Sequence, residues 1–318
     1  MLTYIARRIL MALFCLFIIT LAVFFAMRLL PGDPIRMLVT QSTQQGFSEE
    51  QVASLRHQAG LDRPLAVQYV SWIGNVFRGE LGNSILSRTP VSREIFKRVP
   101  VTLHIGLVAF VVGVVVGIPA GVVCAIRRGK FIDTVVTTLS NIGITMPTFW
   151  LGVMMIYLFA LNLHWLPVMG YTSPLTDLGL NVKKMIMPVI CEALFPLAAF
   201  ARQSRSSMLE VMRQDYIRTA WSKGLRERAI VLRHALKNGL IPIITLSGMG
   251  LSMIIGGSVI IEQVFNIPGM GRLAIVSILN QDYPYVQAIT LITATTVLLI
   301  NLAVDLTYGW LDPRIRYS

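Results

Sequence analysis

The chain has 318 residues, of which 54% are hydrophobic and only 14% are charged. A soluble domain carries about 25% charged residues, so this composition favours membrane spans over a large soluble core. The net charge of +12 does not indicate nucleic-acid binding, because the basic residues lie between apolar runs rather than on one compact face. We therefore expect a membrane protein that contacts lipid and binds no nucleic acid.

Six apolar runs are long enough, or nearly so, to cross a membrane as helices. A helix needs about 20 apolar residues to span the hydrocarbon layer, and lipid offers no partner for exposed backbone polar groups. The first run follows Arg7 and Arg8 as a signal peptide would, but no small-residue cleavage site follows it, so we interpret it as a retained span. The predicted spans are residues 9–27, 103–126, 134–161, 185–201, 239–261 and 286–304.

The spans divide the chain into four regions. Residues 1–30 hold the first transmembrane helix, and residues 31–100 form an extracytoplasmic segment that we expect to fold as a small helical cap. Within it, apolar residues at helical spacing predict an amphipathic helix from Leu65 to Phe77. Residues 101–312 are the predicted core domain of five spans, with a cytoplasmic loop at about 205–238, and residues 313–318 are a cytoplasmic tail.

The distribution of Lys and Arg predicts the orientation. Six spans place both termini on one side, and the basic residues at 7–8, 127–130, 202–237 and 314–316 all fall on that side. The opposite short loops hold little beyond Lys183, Lys184 and Arg272. Because short cytoplasmic loops are enriched in Lys and Arg, we expect both termini and the 205–238 loop to be cytoplasmic.

The cytoplasmic loop carries the most informative pattern. Apolar residues from Met208 to Trp221 recur at helical spacing with charges between them, and Gly224 is placed to end that helix in a left-handed turn. A second short helix can restart around Arg226. Such a bent amphipathic pair can dock into a groove on a partner, although a helix lying on anionic lipid would have the same composition. The order of the residues favours docking.

That order resembles a known family. Tyr216-Ile-Arg-Thr-Ala-x-x-Lys-Gly-Leu225, followed by His234-Ala-Leu-Lys-Asn238, is similar to the loop of binding-protein-dependent transport permeases, in particular the B-type subunit of oligopeptide, dipeptide and nickel importers. Trp221 and Ser222 depart from the family's usual Arg-Ala. Further similar motifs are Leu30-Pro-Gly-Asp-Pro34, Gly60-Leu-Asp-Arg-Pro64, Gly79-Glu-Leu-Gly82, Phe265-Asn-Ile-Pro-Gly-Met-Gly-Arg272, Asp282-Tyr-Pro284 and Asp312-Pro-Arg-Ile-Arg316.

The resemblance implies an all-α type I importer permease fold with six transmembrane helices, including an extra N-terminal span, in a bacterial or archaeal cytoplasmic membrane. It implies three kinds of partner protein: a second homologous permease, two ATP-binding-cassette ATPase subunits and an extracytoplasmic solute-binding protein. ATP and Mg would be used by the ATPases, because this sequence has no phosphate-binding Gly-x4-Gly-Lys-Ser/Thr loop. The chain itself would be non-catalytic and bind no cofactor.

The expected solute is a di- or oligopeptide. Nickel, a metallophore, an opine or a glutathione-like solute remain alternatives within the family, and a membrane scaffold or a passive channel remain alternatives outside it. By resemblance, the loop is a coupling helix that sits in a cleft of the ATPase. The residues assigned to this role are Asp215, Tyr216, Arg218, Thr219, Ala220, Trp221, Lys223, Gly224, Leu225 and His234.

Two further candidate sites lie in or beside the spans. Glu192 is the only clear charge in the middle of a span, so it either lines the translocation path, where it would meet a cation such as a peptide amine, or pairs with a neighbouring helix. Pro268, Gly269 and Gly271 form either an outer gate or an ordinary turn. No metal site is expected, since the histidines and cysteines are scattered along the chain.

Small residues recur every four positions in the second predicted span. Gly113, Gly117 and Gly121 form a stripe that lets helix backbones approach closely. We expect this stripe to pack either within the chain or against the partner permease.

Overall fold

The computed structural model describes residues 2–29, 32–41 and 49–311. Leu30, Pro31, the motif at 312–316 and the predicted tail at 313–318 lie outside the described residues. The helices are α1 (Leu2–Leu29), α2 (Pro34–Gln41), α3 (Glu49–Gln58), α4 (Leu65–Phe77), α5 (Val91–Ile126), α6 (Phe131–Thr145), α7 (Thr148–Met155), α8 (Leu178–Val211), α9 (Asp215–Ser222), α10 (Glu227–Ala229), α11 (Leu236–Gly239), α12 (Ile241–Gly257), α13 (Val259–Val264), α14 (Met270–Leu279) and α15 (Tyr283–Leu311). Two stretches, Ile156–Asn162 and Ile230–Ala235, are π-helical.

The helices account for the predicted number of spans. Four segments are each long and apolar enough to cross a membrane: Ile5–Leu29, Val91–Ile126, Leu178–Val211 and Tyr283–Val304. Two bent pairs qualify only together, Phe131–Thr145 with Thr148–Asn162 and Glu227–Gly239 with Ile241–Ser252. The described residues therefore give six spans when each bent pair counts as one, and the predicted all-α membrane fold is confirmed.

The third predicted span, residues 134–161, is not one straight helix. α6 ends at Thr145, Met146 is extended with φ −73° and ψ 126°, and α7 begins after Pro147. A proline ring disfavours the helical conformation of the residue before it, which accounts for the break. The two halves are bent by 103°.

The second and fourth spans are longer than predicted. α5 begins at Val91 rather than at residue 103, so the last residues of the segment assigned to the cap are part of this helix. The first turns of α5 were not predicted to be helical because they contain charged residues. Arg98 Nη2 nevertheless donates to Glu94 Oε1 at 2.7 Å, an i,i+4 pair that stabilises a helix. α8 begins at Leu178, where the Asp177 carboxylate caps it by accepting from the Leu180 N–H at 2.9 Å.

The chain forms two compact units. Unit 1 comprises Met1–Val101 and Pro268–Ser318, and unit 2 comprises Thr102–Ile267. Within unit 1, buried residues of α5, including Val91 and Ile95, form one hydrophobic cluster with Met270 of α14 and Tyr285 of α15. The division of the sequence into four regions remains a prediction.

In unit 1, the cap packs on the first and last long helices. The predicted helix Leu65–Phe77 is confirmed as α4. The buried Phe24 ring of α1 lies 5.2 Å from the Tyr69 ring and 6.2 Å from the Trp72 ring, measured between centroids.

A second contact joins the cap to the residue before α15. The Asp282 carboxylate accepts from the Ser84 hydroxyl and from the Ile85 N–H. Burial raises the pKa of Asp282 above its usual range.

In unit 2, the glycine stripe of α5 packs against α8 of the same chain. A Cβ at Gly117 would lie 2.5 Å from the Leu197 carbonyl oxygen, and one at Gly121 would lie 2.2 Å from the Ala201 carbonyl oxygen. Backbone atoms cannot move aside as a flexible side chain can, so these positions exclude any larger residue. Of the two predicted roles for the stripe, packing within the chain is confirmed.

We expect Gly121→Val to destabilise unit 2 strongly. The new side chain overlaps the α8 backbone, and overpacking of a close contact costs about 1–3 kcal/mol. Gly256→Val is the matched control, because a Cβ at that helical glycine meets nothing within 4 Å. The thermal unfolding midpoint of the purified chain should fall for Gly121→Val only. Equal midpoints for the two variants would contradict the close packing of α5 on α8.

Candidate functional site

The predicted coupling loop folds as a short helix followed by a tight turn. α9 runs from Asp215 to Ser222, and the Thr219 hydroxyl donates to the Asp215 carbonyl oxygen at 3.0 Å within it. Gly224 has φ +76°, the left-handed conformation predicted for it, and its N–H donates to the Trp221 carbonyl oxygen at 2.9 Å. The chain then resumes a helix at Glu227. The bent pair of helices predicted from the sequence is present.

One detail of that prediction was wrong. The apolar residues from Met208 to Trp221 do not lie on one continuous helix, because α8 ends at Val211 and α9 begins at Asp215. Because a turn separates the two helices, the helical spacing that holds along α8 does not continue into α9. The buried face of α9 is formed by Ile217 and Ala220, whereas Tyr216 and Trp221 are 42% and 45% exposed.

α9 is held by its buried face and presents the other residues outward. Ile217 is fully buried and Ala220 is 6% exposed, in a cluster with Met208 of α8 and with Ile230 and Val231 of the π-helical stretch. Of the ten predicted coupling residues, Ala220 is buried and the other nine are exposed. α9 is therefore packed on one face and exposes a polar and aromatic surface on the other.

A hydrogen bond joins the two halves of the loop. The Asn238 side-chain amide donates to the Tyr216 hydroxyl at 2.8 Å, across 22 residues of sequence. These two residues begin and end the motif on which the family resemblance rests. His234, by contrast, lies exposed on the π-helical stretch.

Sequence reasoning missed the ion pair that positions the segment before the loop. Arg205 of α8 donates from Nε to Asp133 Oδ1 at 2.6 Å and from Nη2 to Asp133 Oδ2 at 2.9 Å, a two-point contact. The Gly129 N–H donates to the same carboxylate at 2.9 Å. Asp133 lies at the start of an apolar run, so its charge was a detectable signal, but its partner 72 residues away was not.

Glu192 is partly buried on α8 and has a partner, Ser258, at the junction between α12 and α13. Its Oε1 accepts from the Ser258 hydroxyl at 2.6 Å, while its Oε2 is buried with no hydrogen-bond partner among the described residues. Glu262, fully buried, lies near enough to interact with it electrostatically and accepts from the Thr102 hydroxyl at 2.6 Å. One carboxylate oxygen of Glu192 is thus bound by Ser258, and the other remains for another partner.

The predicted gate residues form the start of a helix. Pro268 is exposed, Gly269 is extended and precedes α14, and Gly271 is buried in the first turn of α14. Within the described part of the chain, no group of three or more His, Cys, Asp or Glu residues could hold a metal ion.

The fold is similar to that of a solved membrane transporter. A solved structure, titled as inward-facing conformations of the MetNI methionine ABC transporter, superposes with a TM-score of 0.55 at 19% identity and covers 69% of this chain and 96% of its own. The predicted type I permease fold is thus confirmed.

Sequence similarity identifies the family. Residues 117–317 match the binding-protein-dependent transport system inner membrane component, and residues 1–106 match the N-terminal component of the same transport systems. The chain belongs to this family of transport permeases.

Full-length relatives support the assignment. A Brucella abortus (strain 2308) chain is 42% identical, with 99% of each chain covered. The di/tripeptide transport system permease protein DppB of Pseudomonas aeruginosa and the oligopeptide transport system permease protein AppB of Bacillus subtilis are each 38% identical, with 100% of each chain covered.

Proposed function

We propose that this chain is one permease subunit of an ATP-driven, binding-protein-dependent importer of di- or oligopeptides. It forms the translocation path with a second, homologous permease. Two ATP-binding-cassette ATPases supply the work by using ATP and Mg, and an extracytoplasmic binding protein delivers the solute. The observation that carries the proposal is the loop from α9 to the π-helical stretch, on which nine of the ten predicted coupling residues are exposed, in a chain of the permease family.

The peptide substrate rests on the full-length relatives. DppB and AppB are named as di/tripeptide and oligopeptide transport permeases, and both align over the whole chain. The buried Oε2 of Glu192, which has no partner among the described residues, offers a peptide amine a hydrogen-bond acceptor.

The packing of α9 indicates how ATP hydrolysis would be coupled to transport. Ile217 and Ala220 pack α9 against α8 and the π-helical stretch. A force applied by the ATPase to the exposed face of α9 would therefore move α8 and the π-helical stretch together with it. ATP-driven closure of the two ATPases would draw the paired coupling helices together. The translocation path would then switch between inward- and outward-facing states as a rigid-body transition.

Co-purification tests the docking role. From membranes containing the whole transporter, the tagged chain should retain an ATPase subunit, and Trp221→Asp should lose it because a charge replaces an exposed aromatic contact. Leu175→Asp is the matched control, since Leu175 is 97% exposed and lies outside the coupling loop. Because an ATPase acts from the cytoplasm, retention also tests the proposed cytoplasmic position of α9. Undiminished retention by Trp221→Asp would remove α9 from the interface.

We also propose that Glu192 contributes to the translocation path. Glu192→Gln keeps an oxygen to accept from Ser258 but replaces the unpartnered Oε2 acceptor with an amide donor, so uptake of peptides with a free amine should fall about tenfold while assembly is unchanged. Uptake of N-acetylated peptides is the control and should be little affected. Unchanged uptake of both would leave Glu192 with the structural role alone.

Pro268, Gly269 and Gly271 are proposed as part of the outer gate. This proposal is supported by the backbone at this point, where the extended residue Gly269 is followed directly by Met270, the buried first residue of α14. Gly271→Val should alter the rate of ATP-dependent uptake without loss of ATPase retention. An unchanged rate would indicate an ordinary turn.

A further inference from the structure

A cavity of about 640 Å³ lies within unit 1, and coupling makes no use of it. Its wall is formed by the cap, the last turn of α1 and the start of α15. Pockets that hold small ligands measure about 300–1,000 Å³, so this one has room for a ligand of moderate size.

Arg28 lines this cavity without a counter-ion. Its guanidinium lies over the Phe24 ring at 3.5 Å, its Nε donates to Gln68 Oε1 at 3.0 Å and its Nη1 donates to the Phe24 carbonyl oxygen at 3.2 Å. All of these partners are neutral, and no ion pair to Arg28 is found in the described residues. A guanidinium has five N–H donors, so most of them remain for a ligand.

Gln287 supplies a second, independent observation. It is only 3% exposed, it lines the same cavity, and its Nε2 has no hydrogen-bond acceptor among the described residues. A buried donor without an acceptor is unfavourable unless something outside the chain completes it.

The other charged residues that line the cavity add a net positive charge. Arg63 and Arg88 also line the cavity and are exposed, whereas Glu80 is the one acidic lining residue. The cavity thus offers cationic and amide donors in excess of acceptors, and that chemistry suits an oxyanion.

We propose that the cavity binds a phosphate group, carried by the headgroup of an anionic phospholipid or present as free phosphate. The position of Arg28 favours the lipid, because it falls in the last turn of the apolar segment Ile5–Leu29, where headgroups meet the hydrocarbon. Phe25 and Leu29 beside it are 41% and 80% exposed and offer apolar surface to an acyl chain. A bound headgroup would tie the cap to α1 and α15. This inference is independent of the proposed coupling role.

Lipid retention by the full-length chain tests the proposal. The chain is extracted from vesicles of phosphatidylglycerol or phosphatidylcholine, and native mass spectrometry counts the retained lipid. Arg28→Gln and Gln287→Leu should each lower retention of phosphatidylglycerol about tenfold. Arg78→Gln, which removes an equal charge from an exposed residue outside the cavity wall, should not change it.

A parallel titration with sodium phosphate, against sodium chloride at equal ionic strength, separates the two sources. A thermal shift with phosphate that Arg28→Gln and Gln287→Leu abolish, without lipid retention, assigns the site to free phosphate. Retention equal to wild type in both variants, with no phosphate shift, would overturn the proposal, as would an equal loss in Arg78→Gln. If Arg28→Gln does not fold, lipid retention and the phosphate shift of Gln287→Leu alone decide whether the cavity binds phosphate.

Discussion

Gly224→Pro should abolish ATP-dependent uptake while the chain still inserts into the membrane. Gly224 has φ +76°, whereas proline fixes φ near −65° and lacks the N–H that donates here to the Trp221 carbonyl oxygen. The turn after α9 therefore cannot form, and the exposed face loses its orientation toward the ATPase. We expect uptake to fall by more than about tenfold. The measurement is peptide uptake by proteoliposomes, with ATP hydrolysis measured in the same sample.

Gly224→Asn is the matched control. Asparagine adopts the left-handed conformation more readily than other non-glycine residues, and a Cβ at this position meets nothing within 4 Å. This variant should keep most of the uptake. Loss of uptake in both variants would show that the side chain, not the backbone conformation, is what the position cannot accept. Normal uptake in Gly224→Pro would remove the turn from the mechanism.

Asp133→Ala should cause the largest loss of stability among single substitutions in unit 2. It removes a 5% exposed carboxylate that accepts two hydrogen bonds from Arg205 and one from the Gly129 N–H. Breaking a buried pair costs about 3–5 kcal/mol, and we expect about 3 because the Arg205 side chain remains 31% exposed. The thermal unfolding midpoint of the purified chain should fall accordingly.

A second Asp–Arg pair gives the control. Asp215 and Arg218 are joined at 3.3 Å, but their side chains are 95% and 75% exposed, and such surface pairs contribute about 0–1 kcal/mol. Asp215→Ala should therefore leave the midpoint almost unchanged. In a double-mutant cycle, Asp133→Ala with Arg205→Ala should cost less than the sum of the single losses. Additive losses would mean that the two residues do not interact.

Much of the fold could be predicted from the sequence because apolar length and local turn chemistry determine it. The first and last long helices follow from runs that lipid requires to be helical, and the helix Leu65–Phe77 follows from its spacing. The left-handed turn at Gly224 follows from the absence of a Cβ. The stripe of glycines in α5 predicted a close helix contact but not its partner, which is α8.

What the sequence could not predict depends on contacts between distant residues. The Asp133–Arg205 pair and the Glu192–Ser258 hydrogen bond each join residues more than 60 positions apart, and no local pattern predicts such a pairing. The start of α5 was missed because charged residues ended the apolar run, although those same charges pair along the helix. The phase of α9 was missed because the break after Val211 carries no proline or glycine.

We propose that α9 transmits work from a separate ATPase to the membrane helices. Proteoliposomes that contain this chain, the second permease, both ATPases and the binding protein test it most directly, by peptide uptake measured with and without ATP. We expect uptake that requires ATP and is lost in Trp221→Asp, although hydrolysis by the ATPases continues. Uptake that proceeds without ATP, or that Trp221→Asp leaves unchanged, would contradict it.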